Sequence, residues 1–165
     1  MNFTVIDNFL EENIFRQIQK YIVGPQIDWY YNDCVIDDKI PEDKNNFQLV
    51  HTFYKNYSPT SQKSNLVLPI VKKINPKAII RIKANLTLRG DKIIEHGLHT
   101  DIDGYIGTTA VYYINTNDGY TKFENGEKVE SVENRIVFFK SNLLHTGTNC
   151  TDIKNRVVIN FNFVK

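Results

Sequence analysis

The sequence predicts a mainly β protein, an all-β sandwich or jelly roll with helices from its N-terminal half packed on one side. From Ala78 onward the chain is a succession of β-branched and aromatic runs: "AIIRIKANLTL", "IGTTAVYYIN", "GYTKFENGEKVESV", "NRIVFF" and "NRVVINFNFV". Gly, Asn and Asp turn residues divide them. No helical period intervenes, which argues against parallel βαβ units. Before Ala78, short helical stretches alternate with short strands.

In chain order, residues 3–6 read as a short strand. "EENIFRQIQKYIV" places Ile14, Phe15, Ile18 and Ile22 at helical spacing, with Glu11 and Glu12 where negative charge suits a helix start. Segments 28–34 and 48–54 are aromatic and β-branched, hence strands. Trp29, Tyr30 and Tyr31 are expected in the core and the wall of a cleft, and His51 in a packed or hydrogen-bonded position. Between those strands, "VIDDKIPEDKNNF" (35–47) is charged, contains Pro41 and lacks a helical period. It reads as a long loop and a candidate mobile lid. "LPIVKKINP" reads as a short helix, with Pro69 in its first turn and Pro76 beyond its end.

At 165 residues and a net charge of +1, one domain spanning 1–165 is expected, with helical support over roughly 1–77 and a β-core over roughly 78–165. The interspersed charges give no basic stripe, so no nucleic-acid partner is expected. Cys34 and Cys150 are too few for a disulfide scaffold and fit a reducing, cytoplasmic setting. No signal peptide or membrane span is expected from the apolar pattern. Richness in Asn, Ile and Lys fits an AT-rich genome such as a virus's.

Chemistry concentrates in "EHGLHTDIDG" (95–104). On an extended strand, His99 and Asp101 share a face, about 6 to 7 Å apart. His145, in "FFKSNLLHTGTN", follows roughly four strands later, and a jelly roll can return it beside the first pair. Two imidazoles and one carboxylate leave adjacent coordination positions open, which suits non-haem Fe(II). On Zn(II), three protein ligands could instead make a hydrolytic site. In the last strand, alternation puts Arg156, Val158, Asn160 and Asn162 on one face, and Val157, Ile159, Phe161 and Phe163 on a wholly apolar one. Arg156 could clamp a carboxylate with two parallel hydrogen bonds. His96 lies off the alternation of His99 and Asp101 and is expected to be a solvated loop histidine. Asp103, before Gly104, suits a turn. Arg81 and Lys83 could line the cleft or face solvent.

Six pieces stand in order: "HTD", "VYYIN", "GYTKF", "RIVFF", "HTG" and "NRVV". Together they resemble Fe(II)/2-oxoglutarate-dependent dioxygenases of the prolyl-4-hydroxylase-like branch, compact phage-encoded members in particular, over roughly residues 79–164. The resemblance implies a double-stranded β-helix (a cupin-like jelly roll), with His99, Asp101 and His145 as iron ligands and catalytic centre. It implies that Arg156 binds the distal carboxylate of 2-oxoglutarate, assisted by Tyr113. Where many relatives place Ser or Thr two residues after the Arg, Val158 stands here, so Tyr113 or another hydroxyl must compensate. Where relatives often have a Tyr before the first ligand, Asn85 or Thr87 are the candidates, and Asn160 shares the cleft-facing side. The implied reaction consumes O2 and 2-oxoglutarate to hydroxylate a prolyl or other peptide side chain. A free amino acid or other small molecule is the alternative substrate, and a non-catalytic metal- or ligand-binding jelly roll the alternative class.

Overall fold

The computed structural model describes residues 2–36, 47–102 and 107–165. The expected lid falls mostly on residues 37–46 and the expected turn at Asp103 on 103–106, both outside the described residues.

Among the described residues, eleven strands and two α-helices follow one another: β1 (Phe3–Ile6), α1 (Glu12–Val23), β2 (Tyr30–Asn32), β3 (Gln48–Lys55), β4 (Ser58–Pro59), α2 (Leu68–Ile74), β5 (Ala78–Leu88), β6 (Thr108–Tyr113), β7 (Tyr120–Phe123), β8 (Lys128–Glu130), β9 (Ile136–Lys140), β10 (His145–Gly147) and β11 (Asn155–Val164). A large antiparallel sheet has the order β1-β9-β6-β11-β5-β3-β2, with β4 attached to β3. A small sheet, β10-β7-β8, faces it. This is the jelly roll that the strand succession predicts. Among the described residues no helix is long and apolar enough to cross a membrane.

Period-two alternation builds two cores, one on each face of the large sheet. On the outer face, Ala110 and Tyr112 of β6 and Val157, Ile159, Phe161 and Phe163 of β11 pack with Phe15, Ile18 and Ile22 of α1. Val111 and Tyr113 of β6 and Val158 of β11 turn the other way, to meet Phe123 and Val129 of the small sheet. Being buried on both faces, β11 can carry polar residues only where something in the interior meets them.

Asn134, at φ 59°, closes the turn before β9. Its side chain accepts from Leu10 N (2.9 Å) and from the Tyr112 hydroxyl (2.7 Å), and donates to Leu10 O (2.9 Å), tying the N-terminal segment to the sheet.

One expectation is corrected. Tyr30 and Tyr31 are exposed (61% and 68%), because β2 is a three-residue edge strand, and only Trp29 packs against the core. "HTG" forms a short strand, β10, which pairs with β7. His51 is buried as expected, its ring nitrogens meeting Asp28 O (2.7 Å) and Ser61 Oγ (2.9 Å).

Candidate metal and co-substrate site

The segment after β5 folds back along β10: Glu95 bridges to Thr148 and His99 to His145, with reciprocal backbone bonds of 2.9 and 3.0 Å between the two histidines. That pairing brings His99 and Asp101 against His145. One ligand atom from each residue lies within 4.8 Å of the other two. His99 Nε2 is 3.9 Å from Asp101 Oδ1, and His145 Nε2 is 4.0 Å from Asp101 Oδ2. Three ligand atoms about 2.1 Å from one ion on adjacent positions stand about 3 Å apart. A contraction of about 1–2 Å between the side-chain tips would therefore place the three residues on one metal.

The protonation states suit the same role. His99 Nδ1 lies 3.3 Å from Gly97 O and His145 Nδ1 3.0 Å from Leu143 O. A carbonyl only accepts, so Nδ1 carries the proton and Nε2 keeps its lone pair for a metal. Burial, reinforced by His145, lowers the His99 pKa and favours the neutral ring. The Asp101 side chain is 4% exposed. Burial alone would raise its pKa, but His145, Arg81, the hydrogen bond from Asn162 and His99 outweigh it and hold the carboxyl below the usual range. Asn162 Nδ2 donates to Asp101 Oδ2 at 3.1 Å, and an Arg81 amino group stands 3.3 Å from Oδ1. Arg81 thus belongs to the site, and so does Lys83, which lines the cleft.

A cleft of about 580 Å³, open mouth included, holds the triad, Arg156, Asn85, Thr87 and Asn160. Arg156 is 5% exposed, and no carboxylate pairs with it among the described residues. Its Nε donates to Ser131 Oγ (2.8 Å), and its amino groups reach Thr148 O (3.3 Å) and Thr121 Oγ1 (3.5 Å). Burial lowers its pKa. A buried guanidinium held by neutral oxygens and facing a cavity is an anion site in waiting.

Tyr113 stacks beneath it, with the guanidinium carbon 5.7 Å from the ring centroid. Its hydroxyl donates to Thr121 Oγ1 at 2.8 Å, and burial raises its pKa to about 12. Thr121 rather than Tyr113 lines the cleft, and with Ser131 it supplies hydroxyls around Arg156 where Val158 offers none. Sequence reasoning missed Thr121, Ser131 and Thr148. The "GYTKF" piece contained the signal, since Thr121 shares the parity of Gly119 on a strand.

His96 departs from its expectation. It is 5% exposed and lines the cleft, because its backbone N bonds Gly147 O (3.3 Å) as the segment lies over β10. Among the described residues, Asn85 Oδ1 and Asn160 Oδ1 are buried without a hydrogen-bond partner, which marks the cleft as built for a polar occupant.

No protein-family model matches the chain, and no curated protein sequence does. Solved structures do match. A Trichoplax adhaerens prolyl hydroxylase, in complex with a hypoxia-inducible-factor peptide fragment, superimposes with TM-score 0.69 at 12% identity, over 98% of this chain and 83% of that one. The fold is that of the 2-oxoglutarate–Fe(II) oxygenases. A viral collagen prolyl hydroxylase from Paramecium Bursaria Chlorella virus-1, in its 2-oxoglutarate complex, gives 0.61 at 14% identity over 98% and 95%. HygX from Streptomyces hygroscopicus, with nickel, 2-oxoglutarate and hygromycin B bound, gives 0.61 at 11% identity over 99% and 82%.

Proposed function

We propose that this chain is an Fe(II)- and 2-oxoglutarate-dependent dioxygenase that hydroxylates a C–H bond. The observation that carries the reading is the co-location, in one cleft, of a His-Asp-His group with free Nε2 lone pairs and a buried guanidinium lacking an anionic partner. His99, Asp101 and His145 would hold the iron, leaving adjacent positions open. Bound Fe(II) supplies the oxidising chemistry, in which a C–H bond, O2 and 2-oxoglutarate become C–OH, succinate and CO2.

The remaining work falls to this chain. Asn162 and Arg81 hold the Asp101 carboxylate ionised and oriented. Gly97 O and Leu143 O fix the imidazole tautomers. Arg156, set by Ser131 and Thr121, would anchor the far carboxylate of 2-oxoglutarate. Val111 and Val158 give the cleft an apolar wall that limits water around that carboxylate.

A prolyl or other peptide side chain is the proposed target, supported by the peptide complex of the Trichoplax neighbour. The hygromycin B complex of HygX favours a second reading, a small-molecule hydroxylase of the same chemistry. Anaerobic titration with Fe(II) and 2-oxoglutarate tests the core claim. A weak visible charge-transfer band that needs both components is expected. Its absence, with no saturable Fe(II) binding, would return the chain to the non-catalytic jelly rolls.

A further inference from the structure

Lys83 lies on the cleft-facing side of β5, in parity with Arg81, Asn85 and Thr87. The β5–β11 register sets Thr87 opposite Arg156, Asn85 opposite Val158, Lys83 opposite Asn160, and Arg81 opposite Asn162. Lys83 is therefore about 13 Å of strand from the Arg156 rung, and one step of about 7 Å from the rung that holds Asp101. On its other side it faces Thr52 of β3, the strand whose Gln48 also lines the cleft.

Lys83 is half-buried, and among the described residues its ammonium group donates no hydrogen bond and has no ion-pair partner. Burial, then the nearby Arg81, push its pKa down to about 8 against a smaller opposing pull from Asp101, so the charge persists at neutral pH with no anion in direct contact among the described residues. Charge balance shows what is missing. On the reading above, the two positive charges of Fe(II) and the one of Arg156 are matched by Asp101 and the 2-oxoglutarate dianion. Arg81 and Lys83 then remain as surplus positive charges: Arg81 stands 3.3 Å from the Asp101 carboxylate, whereas Lys83, at the end away from the Arg156 anchor, touches no anion among the described residues.

Resting on that reading, we infer that Lys83 binds a carboxylate-sized anionic group of the substrate, so that the enzyme acts on an anionic substrate. The other carboxylate it could meet is that of 2-oxoglutarate at the metal end, and the two sources are separable by experiment. The protein, labelled with 13C-lysine and loaded with Zn(II) and saturating 2-oxoglutarate so that Arg156 is engaged, would be titrated with acetate and N-acetylglycine. The corresponding neutral amides serve as matched controls. The Lys83 ε-carbon resonance is assigned by its absence in K83M.

Both carboxylates should shift that resonance saturably, with the amides at least tenfold weaker, and K83M should keep its 2-oxoglutarate affinity within about twofold. Band perturbation by acetate in the Fe(II)–2-oxoglutarate complex should persist in K83R and vanish in K83M. Equal responses to carboxylate and amide, or no saturable response, would overturn the inference. So would a tenfold loss of 2-oxoglutarate affinity in K83M, which would give the lysine to the co-substrate. Failure of the parent protein to bind 2-oxoglutarate with Fe(II) would instead remove the underlying reading, and it is seen before any anion is added.

Discussion

Each triad imidazole donates Nδ1–H to the carbonyl two residues upstream, His99 to Gly97 and His145 to Leu143. That shared local geometry makes the ligand set depend on a few atoms. His99→Ala, Asp101→Ala and His145→Ala should each abolish Fe(II)-dependent turnover and saturable Fe(II) binding while the circular dichroism spectrum stays unchanged. Wild-type turnover by any one variant removes that residue from the set. On the proposed reading Arg156 acts on a different ligand. A charge-assisted hydrogen bond is worth about 1.5–3 kcal/mol, so Arg156→Ala should weaken 2-oxoglutarate at least about tenfold and leave Fe(II) affinity nearly intact. Equal weakening of both would make Arg156 a structural residue. The sequence singled out these four residues because each chemistry restricts the residue type, and the structure brings them into one cleft. The oxygens around Arg156 were not, since Ser131, Thr121 and the Thr148 carbonyl come from three separate segments. Gly119 read as a turn residue, yet a Cβ there would stand 2.6 Å from Arg156 Cδ and 2.5 Å from Asn149 O, so its role is to make room.

At the scale of elements, alternation and helical period served where an element is long and faces a core. β11 was readable residue by residue because its apolar parity packs under α1 and its polar parity faces the cleft. Short elements carry too few residues for a pattern. β10 has three, and its pairing with β7 depends on a distant partner. The same holds for His96, buried only because residues 95–99 lie along β10. α1 offers a test of what holds the sheet's outer face. Phe15 is fully buried and meets Tyr112 edge-on at 6.3 Å. Phe15→Ala should cost about 3–5 kcal/mol in denaturant unfolding. Because that core lies across the sheet from the cleft, the variant should bind Fe(II) and 2-oxoglutarate within about twofold of the parent. A tenfold loss of either affinity would show that the outer core sets the cleft geometry.

Across the whole molecule, the candidate metal site joins parts that the backbone joins only sparsely. His145 belongs to the small sheet, while His99 and Asp101 lie on the connection leaving β5 of the large one. Isolated bridges, Glu95 to Thr148 and His99 to His145, hold that connection to β10. Without a cation, the site gathers two imidazoles beside a carboxylate whose ionised form is held by Arg81 and Asn162. A divalent ion would bind this arrangement in the folded chain and find no such arrangement in the unfolded one, so it must stabilise the fold by mass action. At a free metal concentration 100 times the Kd, that is about 2.7 kcal/mol. In a chain of this size each kcal/mol moves Tm by about 2–4 °C. Fe(II) under anaerobic conditions, or Zn(II) in air, should therefore raise Tm by about 5–11 °C. Adding 2-oxoglutarate should raise it further only when metal is present, since on the proposed reading one end of the co-substrate needs the ion and the other needs Arg156. Calorimetry with and without chelator separates these contributions. His145→Ala should lose both increments, whereas Arg156→Ala should keep the first and lose most of the second. A Tm that rises with 2-oxoglutarate alone would show that the co-substrate site forms independently of the metal.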